Sequence, residues 1–145
     1  MTDKSKELTT SLSLINNKLH FTGKTGENQP VSIDYISPLG DDLGYTSLEL
    51  LLLSLSSCVG SAVLTFLRKM TRTITSCEIK ADGIRRQEHP TGFSQITLFI
   101  EIGSPDATIE DVIKVIKLAE DKYCPVYSMI RGNCEVKMIH RLTRQ

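Results

Sequence analysis

The 145-residue sequence has no tryptophan, no net charge at neutral pH and no recognisable motif for binding phosphate or metal. Because acidic and basic side chains balance, nothing predicts binding to nucleic acid or to an anionic membrane surface. It has no glycine-rich phosphate loop and no G-x-S-x-G elbow. No C-x-x-C or H-x₃₋₅-H pair occurs, and His20, His89 and His140 lie far apart. We therefore expect neither a metal nor a cofactor.

The first ten residues, MTDKSKELTT, are polar and lack the apolar core of a signal peptide. This pattern predicts a cytoplasmic protein, in which four cysteines are reduced thiols or a catalytic pair rather than a disulfide framework. We interpret residues 1–7 as a ragged terminus. The length suits one domain, predicted over residues 8–145.

One stretch dominates the sequence: from Leu50 to Leu67 it carries no charge, and Cys58 lies in its middle. About 18 uncharged residues are formally long enough to cross a membrane. Serines and a glycine dilute this stretch, however, and no aromatic belt flanks both of its ends. We therefore favour a long central helix of a protein core, predicted over Thr46–Met70, and expect no membrane span. A helix that is apolar on most sides must be covered from most sides.

Periodicity predicts the remaining elements. Period-two alternation indicates six strands, and helical spacing indicates one amphipathic helix before a short turn. The expected strands are Leu8–Ile15, Lys18–Thr22, Val31–Tyr35, Ile74–Ile84 and Gln95–Ile102, followed by the helix Ile109–Tyr123, the helical turn Val126–Arg131 and a last strand, Asn133–Leu142. This order predicts an α+β domain with a largely antiparallel sheet.

Local chemistry distinguishes the cysteines. Cys124 precedes Pro125, which suits the first position of a helix, so the helix dipole favours a thiolate there unless the residue merely marks a helix boundary. Cys58 lies in mid-helix, where apolar surroundings raise a thiol pKa. It is either a small core residue or a thiol activated by a cation from elsewhere. Cys77 and Cys134 fall in predicted strands, and we interpret both as structural.

Two segments resemble one known family. LELLLLSLSSCVGSAV around Cys58 and AEDKYCPVYSMI around Cys124 are similar to the OsmC/Ohr family, the osmotically induced and organic-hydroperoxide-resistance proteins. The segment CEIKADGIRRQEHPTGFSQITLFIEIGS further resembles the YhfA-like branch. The resemblance spans roughly residues 10–142.

This resemblance implies an OsmC-like fold: antiparallel sheets wrapped around a long central helix, in an intertwined homodimer that exchanges strands. It also implies an antioxidant role in the oxidative stress response, as a thiol peroxidase that reduces organic hydroperoxides. Cys58 would be the peroxidatic thiol, oxidised to a sulfenic acid, and Cys124 would resolve it as a disulfide that a dithiol reductant reopens.

The sequence departs from the family in its cation. The family usually supplies an arginine from an early strand, whereas no arginine precedes Arg68 here. Arg86, with its neighbour Arg85, is the candidate replacement, and Lys24 is another. The alternative interpretation of each is a solvated side chain.

The matching glutamate is Glu49, nine residues before Cys58 and therefore about 13 Å away along one helix. It would reach Cys58 only from the partner's helix; otherwise it stabilises the helix N-terminus. A second function therefore stays open: a non-enzymatic, dimeric redox sensor or hydrophobic ligand-binding protein.

Overall fold

The structure, a computed structural model, describes residues 6–145, so residues 1–5 of the predicted ragged terminus lie outside the described residues. The chain divides after Leu50 into two compact units. The single domain predicted over residues 8–145 stays a prediction. The elements are β1 Ser11–Leu14, β2 Phe21–Lys24, β3 Val31–Ile33, α1 Ser47–Lys69, β4 Ser76–Arg85, β5 Phe93–Gly103, α2 Ile109–Leu118, a π-helical segment Ala119–Tyr123, α3 Pro125–Ile130 and β6 Glu135–Thr143.

The first unit contains the predicted meander. β1 pairs with β2 and β2 with β3, both antiparallel. The turn between β1 and β2 is held by Asn16, whose side-chain oxygen accepts hydrogen bonds from the N–H groups of Lys18 and His20. Among described residues 6–50, Asp34 and Gly40 are buried, and no apolar side chain is. The strands form, but the described residues 6–145 bury none of their apolar side chains fully.

A buried carboxylate organises the loop that leads to α1. Asp34 accepts hydrogen bonds from the backbone N–H groups of Tyr35, Asp41 and Leu43, at 2.7, 3.2 and 3.2 Å. Burial alone would raise the pKa of Asp34, but these three donors bring it below its ordinary value. Gly40 is required here, because a Cβ would overlap the carbonyl oxygen of Tyr35.

α1 begins with a reciprocal cap. Thr46 Oγ1 accepts from the Glu49 N–H at 3.3 Å, and Glu49 Oε1 accepts from the Thr46 N–H at 2.8 Å. One stripe of the helix is buried: Leu55, Val59, Ala62, Val63 and Leu67. By length and composition α1 could cross a membrane, a test that the core helix of a soluble protein also passes.

The second unit is built on the sheet β4-β5-β6. β4 pairs antiparallel with β5, but β5 pairs parallel with β6, so the prediction of antiparallel sheets is wrong for this pair. Parallel pairing follows from the connection: α2, the π-helical segment and α3 return the chain to the end at which β5 began. On the inner face, Ile96, Leu98, Ile100 and Ile102 of β5 are buried in the core.

Helices close that core. α1 approaches the sheet at Gly60, where a Cβ would lie 3.1 Å from Ile79 Cδ1. α2 begins with a capping box between Thr108 and Asp111. The helix predicted over Ile109–Tyr123 ends earlier as an α-helix, because its last five residues form the π-helical segment. A π-helical segment often marks a functional site, and this one ends beside Cys124.

Candidate functional site

Cys124 lies at the junction of the π-helical segment and α3. It is the N-cap of α3 with Pro125 in the first turn, which confirms the predicted helix start. Its backbone N–H donates to the Ala119 carbonyl at 3.0 Å, and its Sγ accepts from the Tyr127 N–H at 3.3 Å. The backbone N–H and the sulfur of Cys124 are therefore both hydrogen-bonded to neighbouring backbone groups, and the side chain is buried.

The structure brings Cys124 to Cys58. The two side chains are close enough for Cys58 to raise the pKa of Cys124, although 66 positions separate them in the sequence (124 − 58). Cys58 is half-buried in mid-α1, and both cysteines are free thiols. A disulfide between them requires Cα atoms within about 7 Å.

Burial and a neighbouring thiol determine the protonation of Cys124. Burial, first, and then the adjacent Cys58 raise the pKa of Cys124 to about 11. The Tyr127 and Val126 N–H groups lower the pKa but are outweighed. The expected thiolate at this helix start is therefore wrong, because α3 has six residues and its dipole does not overcome burial. Cys124 therefore keeps its proton at neutral pH.

The other two cysteines are separate from this pair. Cys77 lies in β4 and packs against the core; burial raises its pKa, and nearby Arg68 lowers it. Cys134 lies one residue before β6, not inside a strand as predicted. Burial raises its pKa too, and Arg86 lowers it. Within the described residues 6–145, no group of three or more histidine, cysteine or acidic side chains could hold a metal ion.

The two predicted charged partners have identifiable neighbours. Glu49 Oε1 accepts from the N–H and the hydroxyl of Thr46, at 2.8 and 2.9 Å, and these hydrogen bonds lower the pKa of Glu49. Arg86 is exposed and donates to the Asn133 carbonyl at 3.4 Å, beside Cys134. Glu49 thus acts as a helix cap in this chain. Catalytic roles for both residues stay predictions.

Sequence reasoning missed Tyr127. Its N–H binds the Cys124 sulfur, and its hydroxyl donates to Glu120 Oε2 at 3.5 Å. Burial and the charge of Glu120 raise the pKa of Tyr127. A capping rule would have found the N–H, because an N-cap side chain accepts from the residue three positions later. No rule of spacing predicts the contact of Tyr127 with Glu120 across a π-helical segment.

Comparison with known families gives one match. The family described as OsmC-like protein matches residues 40–139, more than half of the chain. Among curated proteins, protein YhfA of Escherichia coli strain K12 is 27% identical over 112 residues, which cover 77% of this chain and 81% of YhfA. Both cysteines of the pair lie within the matched family segment.

Solved structures share the fold. A hypothetical protein from Aquifex aeolicus superposes with a TM-score of 0.84 at 24% identity, covering 97% of this chain and 98% of its own. An organic hydroperoxide resistance protein from Elizabethkingia anophelis superposes with a TM-score of 0.69 at 20% identity, covering 96% of each chain. At such identities the likeness concerns the fold alone.

Proposed function

The chain belongs to the OsmC-like family, and on that premise we propose that it is a thiol peroxidase that reduces organic hydroperoxides. The observation that carries this proposal is the proximity of Cys58 and Cys124, since Cys58 contributes to the raised pKa of Cys124. Several structures of the same fold are named organic hydroperoxide resistance proteins, which supports this substrate class.

The proposed reaction has two chemical steps before reduction. The Cys58 thiolate attacks the O–O bond of the hydroperoxide; Cys58 becomes a sulfenic acid, and the alkoxide leaves as an alcohol after taking a proton from solvent. Cys124 then attacks the Cys58 sulfur, and its thiol proton leaves with the hydroxyl group as water. A dithiol reduces the resulting disulfide.

We also propose the intertwined, strand-exchanged homodimer. Supporting it are the uncovered apolar side chains of residues 6–50 and the exposed Leu51 and Leu53 on α1. In such a dimer Glu49 would act on the partner's Cys58, and Arg86 would supply the cation that the early strands lack. The proposed location is the cytoplasm, away from membranes and nucleic acid.

The test uses cumene hydroperoxide and a dithiol. The reduced protein is expected to consume peroxide over many turnovers and to accumulate a Cys58–Cys124 disulfide when the dithiol is withheld, as seen by mass spectrometry. Cys58→Ser is expected to abolish turnover. Cys124→Ser should react once and stop at the sulfenic acid, and Cys77→Ser is the matched control that keeps full activity. Peroxide consumption that survives Cys58→Ser would refute the proposal.

A non-enzymatic redox sensor is the second candidate. It is favoured by the positions of the two charged candidates, since Glu49 caps its own helix and Arg86 lies beside Cys134. This candidate predicts stoichiometric oxidation of Cys58 without turnover in the presence of any dithiol. The same assay therefore separates the two functions.

A further inference from the structure

Tyr127 connects the two segments that meet at Cys124. Its backbone N–H donates to Cys124 Sγ at 3.3 Å, and its hydroxyl donates to Glu120 Oε2 at 3.5 Å. Glu120 belongs to the π-helical segment and Tyr127 to α3, so one side chain joins the segment before Cys124 to the helix after it. Both residues are half-buried, which partly shields their hydrogen bond from water.

Few other contacts hold the start of α3 in place. The helix has six residues, and none of them is fully buried. Val126, Tyr127 and Ile130 pack against the core with only part of their surface. A helix of this length has little stability of its own. The position of its first turn relative to the π-helical segment therefore depends on a small number of hydrogen bonds.

The position of that first turn sets the direction of the Cys124 sulfur. A rotamer that turned Sγ away would leave the Tyr127 N–H without its acceptor. Since this N–H moves with α3, a displacement of the helix would carry the sulfur with it. Cys58 contributes to the raised pKa of Cys124 and so lies beside it. Disulfide geometry is narrow, so a displaced sulfur would bond to Cys58 less readily.

We propose that Glu120 and Tyr127 are positioning residues for the resolving step, because their hydrogen bond fixes α3 with the Cys124 sulfur directed at Cys58. This inference rests on the proposed function, since the resolving step is the attack of Cys124 on the Cys58 sulfenic acid. The first step, in which Cys58 attacks the peroxide, does not involve either side chain. Loss of the hydrogen bond should therefore slow disulfide formation and leave the reaction with peroxide unchanged.

The experiment measures the resolving step against a competing trap. In a background that carries Cys77→Ser and Cys134→Ser, only the two thiols of the pair remain. Dimedone attacks the Cys58 sulfenic acid through carbon, forming a thioether and releasing water, whereas Cys124 forms the disulfide and also releases water. The reduced protein receives an equimolar amount of cumene hydroperoxide in excess dimedone, and mass spectrometry gives the ratio of thioether to disulfide. Because both products come from the same sulfenic acid, differences in protein concentration and in the first step cancel.

The variants remove the hydrogen bond from either side. Tyr127→Phe keeps the ring and the backbone N–H, and it is expected to raise the ratio about fivefold, the factor that corresponds to one net hydrogen bond. Glu120→Ala is expected to raise the ratio similarly, and Glu120→Gln, which keeps an oxygen acceptor, should raise it less. Combining Tyr127→Phe with Glu120→Ala should add nothing to either change, because both remove the same bond. Tyr123→Phe, which removes a hydroxyl from an exposed ring, is the matched control and should leave the ratio unchanged.

Several results would overturn the inference. They are an unchanged ratio in Tyr127→Phe, additive effects in the double variant, and equal effects of Glu120→Gln and Glu120→Ala. The initial rate of peroxide consumption should be the same in all variants, and a slower first step in Tyr127→Phe would also overturn it. If the background protein formed neither thioether nor disulfide, the proposed function itself would be refuted, so the two failures are distinguishable.

Discussion

Residues 6–50 and residues 51–145 contain strands with the same apolar alternation, yet the two units use them differently. In the second unit the alternate residues of β5 are completely buried, as with Leu98 at 0% exposure. In the first unit the corresponding residues of β1 stay open, with Leu12 at 58% and Leu14 at 54% exposure. What is buried there is polar: Asp34 and the backbone at Gly40.

Apolar alternation therefore identifies the strand face that must be buried, but it does not identify the element that packs against that face. α1 and α2 cover the sheet of the second unit from within the chain. The first unit has no such cover among its own described residues, and its loop is held by hydrogen bonds to one carboxylate. A second copy of the chain is the cover that we propose, and the predictions below test the difference between the two units.

The largest effect is expected in the apolar core. Leu98→Ala should lower the free energy of unfolding by about 2–5 kcal/mol, because it leaves a cavity between the sheet and the helices. Leu12→Ala is the matched variant in the first unit. Urea unfolding at several protein concentrations measures both. An unfolding midpoint that rises with protein concentration supports the proposed homodimer, and a midpoint independent of concentration would contradict it.

Two glycines give the next comparison. Gly40→Ala should cost about 1–3 kcal/mol, because the new Cβ meets the backbone oxygen of Tyr35, which cannot move aside. Gly60→Ala meets only the end of the Ile79 side chain, and alanine gains about 1 kcal/mol of helix propensity. Its thermal midpoint should therefore stay close to that of the unchanged protein. A larger loss for Gly60→Ala would show that the packing of α1 on β4 is the more rigid contact.

At alkaline pH the free energy of unfolding of the second unit should fall. The pKa of Cys124 is raised to about 11 in the folded protein, so the stability it contributes is complete below its unfolded value, about 8.5. That stability is lost as the pH rises through about 11. With solvent screening the loss should be about 1–2 kcal/mol. Cys124→Ser should reduce this loss of the free energy of unfolding at alkaline pH, and Cys77→Ser should reduce it less. Urea unfolding across this pH range measures both.

At acidic pH the first unit should weaken, with the smallest of these effects. The pKa of Asp34 is lowered in the folded protein, so its contribution is present above its unfolded value and is lost as the pH falls through the folded pKa. Asp34→Asn keeps one acceptor. It should reduce the loss of the free energy of unfolding at acidic pH and leave the loss at alkaline pH unchanged. If Asp34→Asn instead removed the loss at alkaline pH, the assignment of the acidic effect to Asp34 would be contradicted.

The sequence predicts most of the elements because periodicity and capping are local. Thr46 with Glu49, Thr108 and the Cys124–Pro125 helix start could all be interpreted from a few neighbouring residues. The direction of β6 could not, since alternation is the same in parallel and antiparallel strands. The raised pKa of Cys124 could not be predicted either, because its causes include a side chain 66 positions away (124 − 58). The resemblance to a family, rather than local physics, paired the two thiols.

The parallel pairing of β6 affects how the protein is made. During synthesis Cys58 leaves the ribosome before Cys124, and β6, the partner of β5, follows last. Until that moment a nascent chain holds an unpartnered thiol in an incomplete core. We expect the Cys58 thiol to be more open to oxidants in the unfinished chain than in the folded protein.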